Sequence, residues 1–541
     1  MPPVVPPSSA ASPVPSSSRA FRGAAALASA LLLCLASGCG GGGGASGGQQ
    51  AATGTGAGTS TGSGSTTGGT GGGTTAGTGS TGDATITGIP LPPVTGGGTD
   101  TAGGGSTGTG TGTGTDAGTG STGAPSTPLA TGGGSTYVVG NGTLPTGALR
   151  VAALTDVPWS TLPAGSVVLV SPGSYAGVTT ITAVGTAANP IVVTALDTAN
   201  PPTLTESVDF QHAAYVQVSH VVVQQPTYAG FVIRLGSSHI TVSDSTIDRA
   251  PAGIAITGAA GTAHQLLRNT ITDSATDGIG VEVNADPAQR TLIQRNTILR
   301  SGQHGIEVRA SHYQVEYNTV TASGQAGGGG TSGIHVYSGS PGEDSGDDNW
   351  IRYNLSYANT DRVAADGNGI EVDQWCDGNV VAFNQTWGND GAGIIVYDGS
   401  RNTIQNNTTW NDGADSGGTH VGVAELAITG TSTATVNGNR VFDNLSFSTR
   451  AGVPALYVDT TAVAAGGNVV GPNMLWNGAA GMVLRWTDSS TKQTAAAVDA
   501  ATGTTGNLVA APAFTNTGAP AAGGLKLAAM PALAGVMPTG L

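Results

Sequence analysis

The chain has 541 residues, of which 90 are glycine, and only 9% of its residues are charged. Average proteins contain about 7% glycine and about 25% charged residues, so the composition excludes one ordinary globular domain along the whole length. The formal net charge of −15 argues against a nucleic-acid partner, because phosphate binding needs a basic surface. Three cysteines, two of them within the first 39 residues, cannot form a disulfide framework. We therefore expect a monomer held together by packing and hydrogen bonds.

Residues 1–39 are typical of a bacterial secretory signal. Arg19 and Arg22 precede an apolar run at 24–36, and small residues then lead to Cys39. The run is shorter than the roughly 20 residues of a membrane span. Its end resembles a bacterial lipobox, which implies that Cys39 carries lipid and becomes the mature N-terminus; the alternative is an ordinary secretory signal. We expect a protein of the bacterial cell envelope, anchored on the outer surface or secreted, that meets the membrane only through this lipid.

Residues 40–135 consist almost entirely of glycine, threonine, serine and alanine, and they contain no lysine or arginine. Such a segment has too few large apolar side chains to offset the entropy lost on ordering. We predict a disordered, flexible linker.

From Thr136 onward the sequence repeats. Variants of the phrase Gly-Ile-x-Val recur every 23–28 residues, except for one step of 36, and begin at Gly230, Gly253, Gly278, Gly305, Gly333, Gly369 and Gly393. A second phrase interleaves with the first and begins at Asn269, Asn296, Asn318, Asn354, Asn384, Asn407 and Asn444. Periods of this length indicate a solenoid, and the alternation within each phrase is typical of strands. We predict an all-β, single-stranded parallel β-helix over 136–480 and a C-terminal cap or tail over 481–541.

The two phrases also predict what lies inside the coil. Position one after each glycine points inward, so Ile254, Ile279, Ile306, Ile334, Ile370 and Ile394 should stack as an apolar ladder. Asparagine tolerates left-handed backbone and bonds nearby backbone groups. The recurrent asparagines should therefore form a second, structural ladder in a turn.

These phrases, together with Leu162-Pro-Ala-Gly-Ser-Val-Val-Leu-Val and Pro172-Gly-Ser-Tyr175, resemble the right-handed parallel β-helix (pectin lyase-like) superfamily. The opening is similar to the first turns of secreted polysaccharide lyases. The resemblance implies the handedness of the coil and a secreted polysaccharide lyase-like protein. The same fold hosts lyases, hydrolases, epimerases, adhesins and tailspikes.

Positions two and four after each phrase glycine should point outward, and they are rich in ionisable groups on three consecutive turns. With turns about 4.8 Å apart, these residues fit a sugar-sized patch of roughly 10 by 7 Å. We expect a carbohydrate groove whose catalytic side chains are Glu307, Arg309, His335, Tyr337, Glu371 and Asp373. His335, flanked by Glu307 and Glu371, is the expected proton carrier, and the carboxylates should raise its pKa. Tyr397 and Glu282 are expected to bind substrate. The alternative is an ordinary solvated sheet face.

The long step from Gly333 to Gly369 contains an acidic insertion with four carboxylates at Glu343, Asp344, Asp347 and Asp348. Calcium prefers six to eight oxygen ligands, so this loop is a candidate Ca²⁺ site. A solvated acidic run is the alternative.

Three functional hypotheses follow. The first is an enzyme acting on a polysaccharide, either a lyase or a glycoside hydrolase. Hydrolysis needs two carboxylates, and Glu307 and Glu371 should lie about 9.6 Å apart. Elimination needs a cation, Arg309 or Ca²⁺, and a base. The second hypothesis is a non-catalytic surface carbohydrate binder or adhesin, and the third is a structural envelope protein.

Overall fold

The computed structural model describes residues 130–327, 329–363, 366–415, 423–479 and 481–527. The predicted signal with Cys39, and the predicted linker as far as residue 129, lie outside the described residues. Within the described part of the chain, no helix has the length and apolar character needed to cross a membrane.

The described chain coils through three parallel β-sheets, here named A, B and C, in about thirteen turns. Each turn of the coil adds one strand to each sheet. Sheet A contains Thr136–Val139, Leu149–Val151, Val167–Val170, Ile191–Ala195, Ala214–Ser219, Ser238–Ser243, Gln265–Leu267, Thr291–Gln294, Tyr313–Glu316, Trp350–Arg352, Val380–Ala382, Thr403–Gln405, Arg440–Phe442 and Val469–Val470. Sheet B contains Ser174–Tyr175, Thr203–Leu204, Val222–Gln224, Thr246–Asp248, Thr270–Thr272, Thr297–Leu299, Thr319–Thr321, Leu355–Tyr357, Gln385–Trp387, Thr408–Trp410, Leu445–Ser448, Met474–Asn477 and Leu508–Val509. Sheet C contains Thr179–Ile181, Val208–Gln211, Ala229–Arg234, Ala252–Ile256, Ile279–Val281, Ile306–Val308, Ile334–Val336, Ile370–Val372, Ile394–Tyr397, Leu426–Thr429, Leu456–Val458, Leu484–Trp486 and Ser490–Lys492.

Short helices lie at both ends of the coil. Within the described ranges, the α-helices are Thr460–Ala465 and Ala495–Thr502, and 3₁₀ turns occupy Leu154–Asp156, Trp159–Thr161 and Pro520–Ala522. The last strand of sheet C, Ser490–Lys492, pairs antiparallel with its neighbour, whereas the strands before it in that sheet pair in parallel. The strands thus continue past residue 480 into the segment predicted as a cap or tail.

The apolar ladder inside sheet C is confirmed. The six isoleucines Ile254, Ile279, Ile306, Ile334, Ile370 and Ile394 are fully buried and lie in register on consecutive strands. The phrase glycines are needed because the coil closes tightly beside this ladder. A Cβ at Gly305 would lie 2.2 Å from Val320 Cγ1 and 2.7 Å from the carbonyl oxygen of Gly333, so any larger residue would force the backbone apart.

The predicted asparagine ladder is also confirmed, in the turn between sheets A and B. Asn318 is representative: its side-chain amide donates to the carbonyl of Ile293 at 2.9 Å, and its backbone N–H donates to Oδ1 of Asn354 at 2.9 Å. The sequence analysis missed a second ladder between sheets C and A, formed by Asn349, Asn379, Asn402, Asn439 and Asn468.

Candidate functional site

Three consecutive strands of sheet C place the candidate site. Glu307 pairs in register with His335, and His335 with Glu371, because each is position two after its phrase glycine. Arg309, Tyr337 and Asp373 follow two residues later, where their backbone N–H groups donate to the preceding turn. The structure therefore brings the six predicted residues onto one outer face, as the alternation of the phrase requires.

His335 is the centre of this cluster. Its Nε2 lies 3.4 Å from Oδ2 of Asp373, and its Nδ1 lies 3.9 Å from Oε1 of Glu307. The side chain is only 5% exposed, whereas Glu307 is 16% exposed. His335 is therefore enclosed by the surrounding turns, while Glu307 remains partly accessible; the carbohydrate groove stays a prediction.

Aromatic rings enclose the His335 imidazole. The ring of His304 stacks on it with centroids 4.2 Å apart and planes 2° apart, and the ring of Tyr337 lies 5.5 Å away at 18°. Arg309 extends over Tyr337, with its guanidinium carbon 5.3 Å from the ring centroid. Arg309 and Tyr337 are half-buried, so together with Glu307 they form the accessible rim of the cluster.

The electrostatics favour a proton on His335. Burial lowers the pKa of His335, but the hydrogen bond to Asp373 and the charges of Glu371, Asp373 and Glu307 together raise it to about 9. The predicted direction of this shift is thus confirmed. Burial and the neighbouring His335 hold the pKa of His304 well below its usual range. A neutral imidazole therefore stacks on an imidazolium at neutral pH.

Further carboxyl groups surround this cation. Glu371 is buried and accepts hydrogen bonds from Ser332 Oγ at 2.6 Å and Asn368 Nδ2 at 3.0 Å. Burial and the charge of Asp373 raise the pKa of Glu371, and burial and the charge of Glu307 raise that of Asp277. Burial and the charges of Glu371 and Asp373 also raise the pKa of Asp366. Burial and mutual repulsion thus make each of these three carboxyl groups harder to ionise than an exposed one.

Sequence reasoning missed His304 and Asp277, which belong to the turn that precedes each phrase. His304 donates its backbone N–H to Asp277 Oδ1 at 3.0 Å, and Nδ1 of His304 accepts the N–H of Ser332 at 3.2 Å. These residues and Asn368 each stand immediately before a phrase glycine. Comparing the residues immediately before each phrase glycine would have identified them.

Two overlapping groups have the residue types to hold a metal ion: His304, Glu307 and His335, and His335, Glu371 and Asp373, with ligand atoms within 4.8 Å of one another in each. The lone pairs of an imidazole lie in the plane of its ring. Because the His304 and His335 planes are parallel and stacked, their nitrogens cannot aim at one ion unless a ring turns. In the second group, Nε2 of His335 is already engaged by Asp373. As arranged, the cluster suits a proton better than a metal.

The acidic insertion is near the rim but does not form such a group. Glu343, Asp344 and Asp348 are exposed, and Asp347 accepts the backbone N–H of Asp377 at 2.6 Å. Burial raises the pKa of Asp347 to about 6, and the charges of Asp377, Asp348 and Asp344 add to this shift. Among the described residues, three-ligand groups converge only around His335. Calcium binding stays a prediction.

The two residues predicted to bind substrate lie on either side of the cluster. Glu282 is exposed and accepts a hydrogen bond from Thr257 at 2.7 Å. Tyr397 is half-buried against Ile395 and Ala427, and burial, with the charges of Asp398 and Asp373, raises its pKa to about 12. Both continue the outer column that contains Arg309 and Tyr337.

Comparison with known proteins finds several distantly similar solved structures. Solved structures similar to this chain include the lacto-N-biosidase of Eubacterium ramulus (13% identity, 64% of this chain and 67% of that one, TM-score 0.41). A second is the A-module of the mannuronan C-5 epimerase AlgE6 of Azotobacter vinelandii (12% identity, 64% of this chain and 91% of that one, TM-score 0.42). A third is a mannuronic acid-specific family 6 polysaccharide lyase from human gut microbiota (13% identity, 70% of this chain and 91% of that one, TM-score 0.40). At this level of likeness none of them bears on the activity of this chain. No curated protein matches the sequence.

A family model describes residues 207–409 as a right handed beta helix region. The three parallel sheets continue the same coil on both sides of that match. The matched segment therefore agrees with the parallel β-helix architecture of the described chain.

Proposed function

We propose that this protein binds a polysaccharide on the outer face of sheet C and cleaves it there by general acid–base chemistry. The observation that carries the proposal is a buried His335 whose Nδ1 has no hydrogen-bond partner among the described residues, while surrounding carboxylates raise its pKa to about 9. Burying charged groups costs free energy. A sheet face with only a structural role could leave such groups in water. Perturbed ionisable groups in such clusters are typical of functional sites.

The geometry gives separate roles to the buried His335 and the accessible Glu307. Asp373 holds Nε2 of His335, so the free Nδ1 is the nitrogen from which a proton can leave. Glu307, 3.9 Å from Nδ1, is the carboxylate that a substrate can reach. We assign Glu307 as the group that exchanges a proton with the sugar, and His335 as the reservoir that supplies it.

The rim has the chemistry of a saccharide site. The Tyr337 ring offers an apolar surface beside the Arg309 cation, and Tyr397 extends the same column. Sugars combine apolar faces with hydroxyl edges, so an aromatic ring next to charged groups suits them. Arg309 would also neutralise the carboxylate of a uronate. Both hydrolysis and elimination are compatible with this arrangement.

Incubating the full chain with a panel of neutral and acidic polysaccharides tests the proposal. New reducing ends alone would indicate hydrolysis, and ultraviolet absorbance of unsaturated ends would indicate elimination. We expect Glu307→Gln to abolish either signal while circular dichroism stays unchanged. The matched control is Glu206→Gln, a half-buried glutamate several turns away that accepts hydrogen bonds from Thr227, which should retain activity. Binding without cleavage of any member of the panel would favour the non-catalytic binder instead.

A further inference from the structure

A cavity of about 390 Å³ lies on the outer face of sheet A, away from the His335 cluster. Its floor is an in-register column of Gln265, Leu292, Gln314 and Trp350 on four consecutive strands. The loop before Leu292 provides a wall through Gln289 and Arg290. Ligand pockets commonly measure about 300–1,000 Å³ and combine an apolar floor with a few polar groups. The cavity has this size, and its floor combines the apolar Leu292 and Trp350 with two glutamines.

The cavity occupies the same turns of the coil as the proposed catalytic face. Leu292 precedes Glu307 in one turn, Gln314 precedes His335 in the next, and Trp350 precedes Glu371 in the third. The acidic insertion separates the two faces, and Arg290 donates a hydrogen bond to the carbonyl oxygen of Asp348 in that insertion at 2.5 Å. A polymer that reaches one face is therefore close to the other.

Two arginines lie close together at the Trp350 end of the cavity. The guanidinium carbons of Arg290 and Arg352 both lie 4.4 Å from the centroid of the Trp350 ring. Arg352 forms an ion pair with Glu316. Among the described residues, Arg290 forms no ion pair with a carboxylate. Burial lowers the pKa of Arg290, the charge of Asp348 opposes this shift, and the charge of Arg352 adds to it. Because no carboxylate oxygen among the described residues lies within ion-pair distance of Arg290, its guanidinium can still bind an anion.

The remaining polar groups favour a sugar. In the described part of the chain, the side-chain amides of Gln265, Gln289 and Gln314 make no hydrogen bond. Each amide can donate to and accept from a hydroxyl group. A guanidinium recognises a carboxylate through two parallel hydrogen bonds. We propose that this cavity is a second binding site for a carboxylate-bearing saccharide, a uronate unit, with Arg290 as the carboxylate ligand. The inference goes beyond the proposed function and holds whether or not sheet C cleaves the polymer.

The test measures binding of a short oligouronate and of its carboxyl-reduced neutral counterpart by calorimetry. It uses the full chain carrying Glu307→Gln, so that the probe is not consumed. Adding Arg290→Gln should weaken oligouronate binding by about tenfold or more, since hydrogen bonds to charged groups contribute about 1.5–3 kcal/mol. The neutral counterpart should bind more weakly and should not respond to this substitution. Arg401→Gln, which removes an exposed arginine paired with Asp377, is the control and should leave binding unchanged.

Leu292→Trp, which fills the cavity with a larger side chain, is the second variant. It should also abolish binding of the oligouronate to the cavity. Unchanged oligouronate affinity in both Arg290→Gln and Leu292→Trp would overturn the proposal. So would equal affinity for the neutral counterpart. With Glu307 intact, Arg290→Gln should still release ends from short substrates. Loss of cleavage and loss of this second site are therefore separate outcomes.

Discussion

The turn between sheets A and B and the outer face of sheet C both carry a column of polar side chains, but the two columns are satisfied in opposite ways. In the asparagine ladder, Asn318 and Asn354 bond the backbone of the turns on either side and also each other. On sheet C, charged groups crowd around His335 and leave its Nδ1 without a partner. A polar column that satisfies the backbone has a structural role. A polar column that leaves its own groups unsatisfied points to a ligand.

Breaking the structural column should have the largest effect on stability. Asn354→Ala leaves the N–H of Asn318 and the carbonyl of Val315 buried without partners. Each unsatisfied buried group costs about 1–3 kcal/mol, so we expect unfolding to be easier by about 3–5 kcal/mol. Denaturant unfolding measures this change. Asn200→Ala, in an exposed turn, is the control and should change little; a loss below 1 kcal/mol for Asn354→Ala would contradict a structural ladder.

Breaking the charged column should instead cost activity and should change the pH dependence of stability. His335→Gln should slow cleavage by about a hundredfold or more. Because the folded-state pKa of His335 is raised from 6.5 to about 9, its contribution is fully present below pH 6.5 and is lost as the pH rises through 9. This contribution is roughly 3 kcal/mol. The difference in unfolding free energy between wild type and His335→Gln should therefore shrink between pH 6.5 and 10, and a constant difference would refute the assignment.

A buried pair of carboxyl groups sharpens the comparison because it lies in the connection between sheets B and C rather than on the outer face of sheet C. Asp412 and Glu425 are fully buried, and the Asp412 N–H donates to Glu425 at 3.2 Å. Burial raises the pKa of Asp412 from 3.8 to about 7, so its contribution to stability is present below about pH 4 and is lost as the pH rises through 7. Asp412→Asn keeps the acceptor for Asn389. We expect this variant to be more stable at pH 8 by up to about 4 kcal/mol and to retain cleavage. Thermal unfolding across the pH range checks this expectation.

Exposed charges on the turns should have the smallest effect. Arg300 pairs with Asp273 at 2.7 Å, but both side chains are well exposed. Surface ion pairs contribute about 0–1 kcal/mol. Arg300→Ala should therefore change the free energy of unfolding by less than 1 kcal/mol and leave cleavage unaffected. A larger loss would mean that charge on this fold is structural wherever it occurs.

The ladders were predictable because a parallel coil repeats one local rule at every turn. Alternation alone places Ile306 inward and Glu307 outward, and the recurrent asparagines need only the register of the strands. The same rule placed His335 next to Glu307 and Glu371. The second asparagine ladder was not predicted because Asn349 and Asn379 follow loops of unequal length, so their spacing in the sequence is irregular.

The enclosure of the site could not be predicted in this way. Whether His335 is open or buried depends on the turns between sheets B and C, and their paths do not follow strand alternation. His304 lies in such a turn, and its stacking on His335 decides both the low accessibility and the poor fit to a metal ion. The cavity on sheet A likewise depends on the loop that carries Arg290.

The central claim is that His335 is a buried imidazolium at neutral pH. Nuclear magnetic resonance of the full chain with ¹⁵N-labelled histidine, assigned by comparison with His335→Gln, measures this directly. We predict that both ring nitrogens of His335 carry protons at pH 7 and that the ring titrates near pH 9, while His304 stays neutral. A His335 ring that is neutral at pH 7, or that titrates near its ordinary value of 6.5, would contradict the account.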